Sequence, residues 1–437
     1  MWFLSSRKTR RPIPARRRPL SYRPRLEAME DRCCPSGGLL NPGFGNGGID
    51  VNIPTNKVAV QSNGDIITAS GTGGYRESIV VTRVTPSGAL DTTFNGSGTV
   101  TISIKGTYGS YANTVLLQSD GKILVGGAAG VSKFNADSEF VVARLNSDGT
   151  MDKSFGRGGL FTWSPTSYQN DVRGLALLSN GDILATGKAQ LNGDSYALFR
   201  LTPGGALDTT FGNQGNGLAA VHVGIPSNTA DGPSDSIVLA PNGDILLCGS
   251  DSKGDADLVA FTSQGTVDTT FGGGNGWIEY APPAGYSAYA FSDMVLQGSQ
   301  LVVAGQVGTA GPFGGTGTWY GVVSRYSLAG VLDPTFATSG YYITSFLGGL
   351  GPVAVAADGS IIVAGVENYL PTGSTTYASE MVVGHLSANG VPDTTFGSDG
   401  SGFVAIQAVA NGVSGMALDG AYIVLAGNST LVEVTAP

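Results

Sequence analysis

The stretch GALDTTFG (205–212) recurs along the chain and governs how the rest of the sequence is interpreted. The copies are GALDTTFN from residue 88, GTMDKSFG from 149, GTVDTTFG from 265, GVLDPTFA from 330 and GVPDTTFG from 390. Each has glycine and aspartate, which suit a turn, followed by a phenylalanine that can be buried. No copy contains histidine, cysteine or a nucleophile paired with a base. The repeat therefore predicts a structural corner rather than a catalytic element.

The phenylalanines of the repeat recur at intervals of 50 to 65 residues. They are Phe44, Phe94, Phe155, Phe211, Phe271, Phe336 and Phe396. Periods of this length are typical of propellers and solenoids. The 68 glycines and the short runs rich in Val, Ile and Thr favour many short strands joined by tight turns.

Each unit contains two apolar runs separated by a turn, as in NTVLLQSDGKILVGG (113–127). The turn pairs are Asn63-Gly64, Asp120-Gly121, Asn180-Gly181, Asn242-Gly243, Gly298-Ser299, Asp358-Gly359 and Asp419-Gly420. These pairs predict type I′ hairpins, whose two central residues both need positive φ. A third run precedes the repeated corner and a fourth follows it, so four strands are expected in each unit.

The sequence predicts an all-β fold: a seven-bladed β-propeller of four-stranded antiparallel blades. A strand at 48–53 precedes the first hairpin, and the last unit ends at 430–434 without a fourth strand. We expect the N-terminal strand to pair beside 430–434 and complete the last blade. The expected domains are a basic disordered leader (1–38) and the propeller (39–437).

Charge is distributed unevenly between these two parts. Residues 1–32 carry a net charge of +7, which leaves −16 on the remainder of a chain whose net charge is −9. The acidic body argues against a nucleic-acid partner, since binding phosphates requires a basic surface. No apolar run reaches the roughly 18 residues of a membrane span. The leader lacks the apolar region of an ordinary signal peptide, so export does not follow from its composition.

The units resemble the delta-60 repeat family over residues 39–437. The resemblance is carried by SDGKILVGG, FVVARLNSDGTMDKSFG and ALFRLTPGGALDTTFG, whereas Ala260 and the turn Gly298-Ser299 depart from the pattern. It implies a propeller-like domain of bacterial exported or surface proteins, without catalytic residues to carry over. The segment RPRLEAMEDRCCPS (23–36) is similar to a Leu-Glu-x-Leu-Glu-Asp-Arg segment of large exported repeat proteins. An extracellular or cell-surface location is what these resemblances imply.

An arginine recurs near the end of the third strand, at Arg83, Arg144, Arg200 and Arg325, with His385 in the same column. An arginine ring that binds an anion is one interpretation. We favour structural ion pairs with the corner aspartates Asp91, Asp152, Asp208 and Asp333, with His385 beside Asp393. His222 is expected to face solvent. Cys248 lies in a column of small residues and is expected to be a buried, unreactive thiol.

The loop DSKGDAD (251–257) concentrates Asp251, Asp255 and Asp257. Three carboxylates could contribute to a calcium site, but Ca²⁺ takes 6–8 oxygen ligands and the spacing is not that of an EF-hand. We favour a solvated acidic loop, with calcium as the alternative. No other cofactor is expected.

Antiparallel strands place the hairpin turns and the GALDTTFG-type corners on one face of the ring, here called the corner face. The loops that connect the second to the third strand, and one unit to the next, lie on the opposite face, the loop face. The loop face is variable and aromatic, and such loops are common recognition sites. Its candidate ligand-binding residues are Tyr108, Tyr111, Tyr168, Tyr286, Tyr289, Trp319, Tyr320, Tyr369 and Tyr377.

We therefore expect a non-catalytic, monomeric binding scaffold that contacts a protein or glycan through its loop face. The alternative from another class is a propeller-type polysaccharide lyase or hydrolase, which would need catalytic groups converging near the channel. A structural spacer of the cell envelope is the third alternative, since fold alone does not decide function.

Overall fold

The computed structural model describes residues 37–72, 77–132, 137–191, 194–223, 232–251, 254–309, 317–371, 374, 376–406 and 412–437. The chain divides into two units, Met1–Cys34 and Pro35–Pro437, and all the described residues belong to the second. The predicted leader, apart from Gly37 and Gly38, lies outside the described residues. None of the helices in the described ranges is long and apolar enough to cross a membrane.

The described residues form 28 strands. The first half of the chain supplies β1 (Ile49–Val51), β2 (Lys57–Val60), β3 (Ile66–Gly71), β4 (Ile79–Val84), β5 (Thr99–Ile102), β6 (Ser110–Leu117), β7 (Ile123–Gly130), β8 (Ser138–Leu145), β9 (Leu160–Trp163), β10 (Asn170–Leu177), β11 (Ile183–Gln190), β12 (Asp194–Leu201) and β13 (Leu218–Val221).

The second half supplies β14 (Gly232–Leu239), β15 (Ile245–Ser250), β16 (Ala256–Phe261), β17 (Trp277–Tyr280), β18 (Ala288–Gln297), β19 (Gln300–Gly308), β20 (Trp319–Ser327), β21 (Tyr341–Leu347), β22 (Leu350–Val355), β23 (Ile361–Tyr369), β24 (Ala378–Leu386), β25 (Phe403–Ile406), β26 (Gly415–Asp419), β27 (Tyr422–Gly427) and β28 (Thr430–Thr435). Two short 3₁₀ turns are Phe94–Gly96 and Gly272–Gly274.

The strands build a β-propeller of four-stranded antiparallel blades, but the predicted count of seven separate blades is wrong. Within the described residues there are five separate four-stranded sheets: β2–β5, β6–β9, β10–β13, β14–β17 and the sheet β1-β28-β27-β26. Strands β18 to β25 form a single eight-stranded sheet instead. Its two halves are joined where β21 pairs with β23 through Leu347 and Asn368.

The length of the connection explains why these strands form one sheet. Only Gly348 and Gly349 separate β21 from β22, so the outer strand runs almost directly into the next inner strand. The Gly348 N–H bonds the Trp319 carbonyl and the Val366 N–H bonds the Gly349 carbonyl, which ties this connection to both halves. Gly348 has a φ of +132°, and an added Cβ would lie 1.9 Å from the Val366 carbonyl oxygen. The glycine pair was present in the sequence, but its effect on the sheet was not predicted.

The first strand of each repeat unit is innermost. These strands contact one another in the order β2, β6, β10, β14, β18, β22 and β26, and β26 returns to β2. The predicted closure is confirmed, because β1 pairs with β28 and places Ile49 opposite Val432. Further contacts reinforce it: Leu40 bridges Val434, and the Asn41 side-chain amide donates to the Glu433 carboxylate. Both ends of the propeller sequence therefore lie in one sheet.

The hairpins occur where predicted, but their turns are not of type I′. Among the predicted turn residues, Asn63, Asp120 and Asn180 do not have positive φ, whereas the glycine after each does. In the turn at 118–122, Gly121 N–H bonds the Gln118 carbonyl and Gln118 N–H bonds the Lys122 carbonyl. This pattern is a three-residue loop in which a type I turn precedes a left-handed glycine. Asn-Gly and Asp-Gly occur both in type I′ turns and in this three-residue loop, so the sequence did not distinguish the two.

The repeated corner is a structural element, as predicted. Phe44, Phe94, Phe155, Phe211, Phe336 and Phe396 are fully buried, and Phe271 is 5% exposed. Each phenylalanine packs on the corner glycine of the next unit: Gly205 has a φ of +78°, and an added Cβ would lie 2.7 Å from the Phe155 ring. The corner Asp208 accepts the Thr210 backbone N–H at 2.9 Å, which is the expected Asx turn.

The third-strand arginines form the predicted ion pairs. The N···O distances are 2.6 Å for Arg83–Asp91, 2.8 Å for Arg144–Asp152, 2.7 Å for Arg200–Asp208 and 2.8 Å for Arg325–Asp333. Each guanidinium carbon lies 4.6 to 5.0 Å from the ring centre of its own corner phenylalanine. Each guanidinium also donates to a backbone carbonyl of the next unit: Ser147, Pro203, Ser263 or Ala388. One side chain thus connects two neighbouring units.

Replacing Arg144 with alanine is expected to destabilise the propeller by about 3 kcal/mol, because removing one partner of a buried ion pair leaves the other charge unpaired. Arg144 and Asp152 are each only 8% exposed at the side chain. The measurement is the free energy of unfolding in urea. The matched control is Arg157→Ala, an exposed arginine of the same blade, which should cost less than about 0.5 kcal/mol. Equal unfolding midpoints for the two variants would contradict the proposed role of the pair.

Candidate functional site

Bulges in the innermost strands direct polar side chains toward the axis of the ring. The register shifts between Ala112/Thr114, Val172/Gly174, Pro233/Ile237, Phe291/Asp293 and Leu350/Val353. A bulge adds a residue to one strand and changes the direction of its side chain, and bulges are frequent next to functional sites. Asn113, Arg173 and Ser292 are such added residues.

An axial cavity of about 330 Å³ opens between the innermost strands. Its polar lining residues, on these strands or just before them, are Asn56, Lys57, Asn113, Thr114, Asp235, Ser292, Asp293 and Ser414. The volume is at the lower end of the range for small-molecule sites, about 300–1,000 Å³. The lining also includes Val58, Val115, Pro352, Val413 and Met416. The cavity therefore offers both hydrogen-bonding groups and apolar surface.

Lys57 forms an ion pair across the cavity. Its Nζ lies 2.5 Å from Oδ2 of Asp235, and it also donates to the Ser414 carbonyl. Lys57 begins β2 and Asp235 is on β14, so the pair links strands that are not neighbours in the ring. The side chains of Lys57 and Asp235 are 18% and 44% exposed, so the pair is open to solvent.

Asp293 is a second carboxylate in the cavity wall. Its Oδ2 accepts the Val353 N–H at 2.9 Å and its Oδ1 accepts the Met294 N–H at 2.8 Å. Burial raises the pKa of Asp293 to about 6, although both N–H groups and the charge of Lys57 oppose this effect. Because both oxygens accept backbone donors, Asp293 mainly fixes β22 against β18 beside the cavity.

A second ion pair lies on β10, the innermost strand of the third unit. Arg173 Nε donates to Oδ2 of Asp171 at 3.3 Å, and Asp171 Oδ1 accepts the Lys188 backbone N–H at 3.2 Å. Tyr111 lies near this pair. Its partial burial, together with the charges of Asp171 and Glu77, raises the pKa of Tyr111 to about 12, against the effect of Arg173. The neighbouring strands β6 and β10 therefore bring an aromatic ring close to charged groups of both signs.

The predicted aromatic residues of the loop face fall into separate groups. Tyr108 and Tyr111 are each 39% exposed and Tyr168 is 58% exposed. The Tyr108 N–H bonds the Gly130 carbonyl and the Tyr168 carbonyl accepts the Ser138 N–H, so both residues border the loop that leads into β8. Tyr369 and Tyr377, 40% and 60% exposed, flank the start of the β23–β24 pairing. We call Tyr108, Tyr111 and Tyr168 the tyrosine rim.

The remaining predicted aromatics are less accessible. Tyr286 and Tyr320 are half-buried and pack edge to face with ring centres 6.1 Å apart. Trp319 is half-buried and lies over Gly308. Tyr289 is fully buried, and its hydroxyl bonds Ser324 at 2.9 Å and Tyr326 at 3.0 Å. The prediction that Tyr289 lies at the surface is therefore wrong. Tyr289 belongs to β18 and faces the core, although in sequence it lies next to a loop.

The expected solvated acidic loop is also corrected, because Asp251 is 2% and Asp257 0% exposed. The Tyr196 hydroxyl donates to Asp257 Oδ2 at 3.2 Å, whereas Asp257 Oδ1 is buried without a hydrogen bond. Burial, followed by the charge of Asp251, raises the pKa of Asp257 to about 8. No group of three or more acidic, histidine or cysteine residues in the described ranges is arranged to hold a metal ion. Calcium binding by these aspartates stays an untested alternative.

The other titratable candidates lie away from the cavity. His385 Nδ1 is 2.9 Å from Asp393 on the corner face, as expected. His222 is half-buried rather than fully solvent-facing. Cys248 is fully buried, and burial raises the pKa of its thiol to about 12, despite hydrogen bonds with Ser234 and Ser236. A reactive role for this thiol is disfavoured, since the thiolate is the reactive form.

Sequence reasoning missed the cavity residues Lys57, Asp235 and Asp293. The signal was present as a column of polar residues that precedes each first apolar run, as in NKVAV (56–60), NTVLL (113–117) and SDSIV (234–238). The innermost strands converge on the axis, so polar residues that recur in them are candidates to line the axial cavity.

The model of a family described as a domain of unknown function (DUF5122) β-propeller matches residues 118–155 and 178–211. This match supports a β-propeller family over the second and third units. The more specific resemblance to delta-60 repeats and that of residues 23–36 stay predictions. No curated protein matches the chain.

Solved structures with a similar fold are distant in sequence. The WD40 β-propeller domain of Doa1 is 10% identical with a TM-score of 0.46, over 89% of this chain and 95% of that chain. A GH43 endo-arabinanase from Bacillus licheniformis is 12% identical with a TM-score of 0.33, over 76% and 94% of the two chains. The computationally designed Ika8 protein is 10% identical with a TM-score of 0.40, over 88% and 97%. These likenesses carry no argument about function.

Asp257 is expected to make stability depend on pH. The pKa of about 8 in the folded protein exceeds the ordinary value near 3.9, so the folded state holds a proton that the unfolded state releases between these values. Its contribution to stability therefore falls as the pH rises from about 4 to 8, by roughly 2 to 3 kcal/mol between pH 6 and 8.

The measurement is the free energy of unfolding of the wild type and Asp257→Asn between pH 6 and 9. The variant should lose less stability over this interval than the wild type. Gln264→Ala, an exposed and non-titrating change in the same blade, should keep the wild-type profile. Parallel profiles for the wild type and Asp257→Asn would contradict the assignment.

Proposed function

We propose that the propeller is a non-catalytic binding module whose partner, a protein or a glycan, contacts the loop face around the mouth of the axial cavity. The observation that carries this proposal is the tyrosine rim beside the Asp171–Arg173 pair. Exposed tyrosines supply a large contact area and a polar hydroxyl, and they are enriched at binding sites. Charged groups of both signs next to them would add specificity.

The scaffold supports this use of the loop face. The corners on the opposite face are fixed by buried phenylalanines and ion pairs that recur from unit to unit, whereas the loops differ in length and sequence. A rigid framework that displays variable loops is a common arrangement in binding proteins. The loop face can therefore change without loss of the fold.

An enzymatic role is less well supported by the axial groups. Asp235 is paired with Lys57 at 2.5 Å, and both oxygens of Asp293 accept backbone N–H groups. A general acid needs a carboxyl group that can hand its proton to the substrate. His385, which could otherwise act as a base, is held by Asp393 on the corner face.

We further propose an extracellular or cell-surface location. The support is the similarity of residues 23–36 to the segment found in exported repeat proteins, and these residues lie outside the described part of the structure.

Replacing Tyr108 and Tyr168 together with alanine is expected to weaken binding at least tenfold, since each exposed ring would lose its contact with the partner. Binding is measured on a glycan array and against purified cell-surface proteins. The matched control is Val331→Ala with Val391→Ala, two exposed apolar residues on the corner face, 65% and 57% exposed. Unchanged binding by the tyrosine variant would contradict the proposed face, and hydrolysis of an arrayed polysaccharide would favour the enzyme.

A further inference from the structure

The axial cavity has a chemistry that selects among ligands. Its lining includes the side-chain amides of Asn56 and Asn113, which can both donate and accept hydrogen bonds. The hydroxyls of Thr114, Ser292 and Ser414 also line it. Ser414 Oγ donates to the Asn56 carbonyl at 2.7 Å, which fixes the wall where β2 and β26 meet. A ligand with many hydroxyl groups would find donors and acceptors on several sides.

The charged groups that line the cavity are one ammonium and two carboxyl groups. The ammonium of Lys57, the one cationic group among the lining residues, is paired with Asp235, and Asp293 adds a second carboxyl group. An anionic ligand would have to approach these two carboxyl groups. A cationic ligand would have to share Asp235 with an ammonium that already lies 2.5 Å from it. An anionic ligand is therefore disfavoured, and a cationic ligand would compete with Lys57 for Asp235, whereas an uncharged ligand keeps the pair intact.

Adjacent hydroxyl groups on a sugar ring match this pair geometrically, since one hydroxyl can donate to the carboxylate while its neighbour accepts from the ammonium. The ion pair, the amides and the hydroxyls supply hydrogen bonds, and Val58, Val115, Pro352, Val413 and Met416 supply apolar surface for the face of the sugar ring. The size of the cavity, about 330 Å³, admits a small part of a chain rather than a folded protein surface.

The path from the rim to the cavity follows β6. Tyr111 of the tyrosine rim is two residues before the bulged Asn113, which lines the cavity. Asn113 is itself positioned, because its Nδ2 donates to the Val172 carbonyl of β10 at 3.0 Å. A ligand that stacks on the rim can therefore continue into the cavity along a single strand.

We propose that the axial cavity binds the terminal residue of an uncharged glycan, held by the Lys57–Asp235 pair and by Asn113. This proposal rests on the proposed binding role of the loop face and names the ligand class for it. The tyrosine rim contacts the sugars that precede the terminal residue, by stacking of the aromatic rings on the apolar faces of the sugar rings.

The test uses saturation-transfer difference NMR with the full chain and defined trisaccharides. The neutral probes are cellotriose, maltotriose, mannotriose, xylotriose and N-acetylchitotriose, and the acidic probe is trigalacturonic acid. At least one neutral trisaccharide should bind, with the strongest saturation on a terminal residue. Binding of the acidic probe alone, or of none of the probes, would overturn the proposal.

Two variants then locate the bound sugar. Asp235→Ala removes the acceptor of the ion pair and should weaken the binding of that trisaccharide at least tenfold. Ser292→Phe fills the cavity without removing a charge and should do the same, so a folding defect in one variant leaves the other as a test. Circular dichroism and thermal unfolding establish that each variant is folded, and Val331→Ala on the corner face should bind as the wild type does.

The two proposals fail in different ways. If the rim variant weakens binding and both folded cavity variants do not, the loop-face function stands and the cavity proposal is wrong. If the cavity variants weaken binding and the rim variant does not, the ligand is held by the cavity alone. If neither set weakens binding, both proposals are wrong.

Discussion

A single arginine side chain at the end of the third strand holds neighbouring units of this propeller together. Arg144 bonds the corner aspartate of its own unit, lies over its own corner phenylalanine and donates to the Pro203 carbonyl of the next unit. A buried guanidinium is costly unless its donors are satisfied, and here carboxylate, ring and carbonyl satisfy it together. The next unit must therefore be in place before the charge of this one is fully compensated. The corner is thus both a local turn and the contact between units.

One of the units that lack this arginine shows what the contact requires. Ala260 stands in the arginine column, yet Asp268 keeps its turn by accepting the Thr270 N–H and hydroxyl. The Tyr280 hydroxyl, from β17, bonds the Gly330 carbonyl of the next unit. A different donor on a different strand thus connects this unit to the next. The bond between units is retained although the residue that usually makes it is absent.

Much of the fold could be predicted from sequence because it depends on local chemistry repeated many times. The hairpins, the buried phenylalanines, the Arg–Asp pairs and the pairing of Ile49 with Val432 all follow from residue type and spacing. The continuous sheet from β18 to β25 could not be predicted in this way. It depends on the pairing of the end of β21 with β23 beside Gly348. The turn type was wrong because aspartate or asparagine before glycine is compatible with two loop geometries.

The candidate site was predicted less well than the fold, for a physical reason. Tyr108 and Tyr168 are exposed as their loop positions indicated, but Tyr289, in a similar sequence context, points into the core. Side chains alternate along a strand, so a residue near a loop can face either way. The Lys57–Asp235 pair joins distant units across the axis, and no spacing along the chain brings these two residues together.

The pairing of β1 with β28 has a consequence for biogenesis. Ile49 is made early on the ribosome, whereas its partner Val432 is added after all the intervening units. Those units can form their hairpins one after another, since these contacts are local and need little loop closure. The edge of β1 must meanwhile stay unpaired, and such edges are prone to wrong associations. The ring can therefore close only after its last strand has been made, and until then the edge of β1 has to be kept from wrong partners.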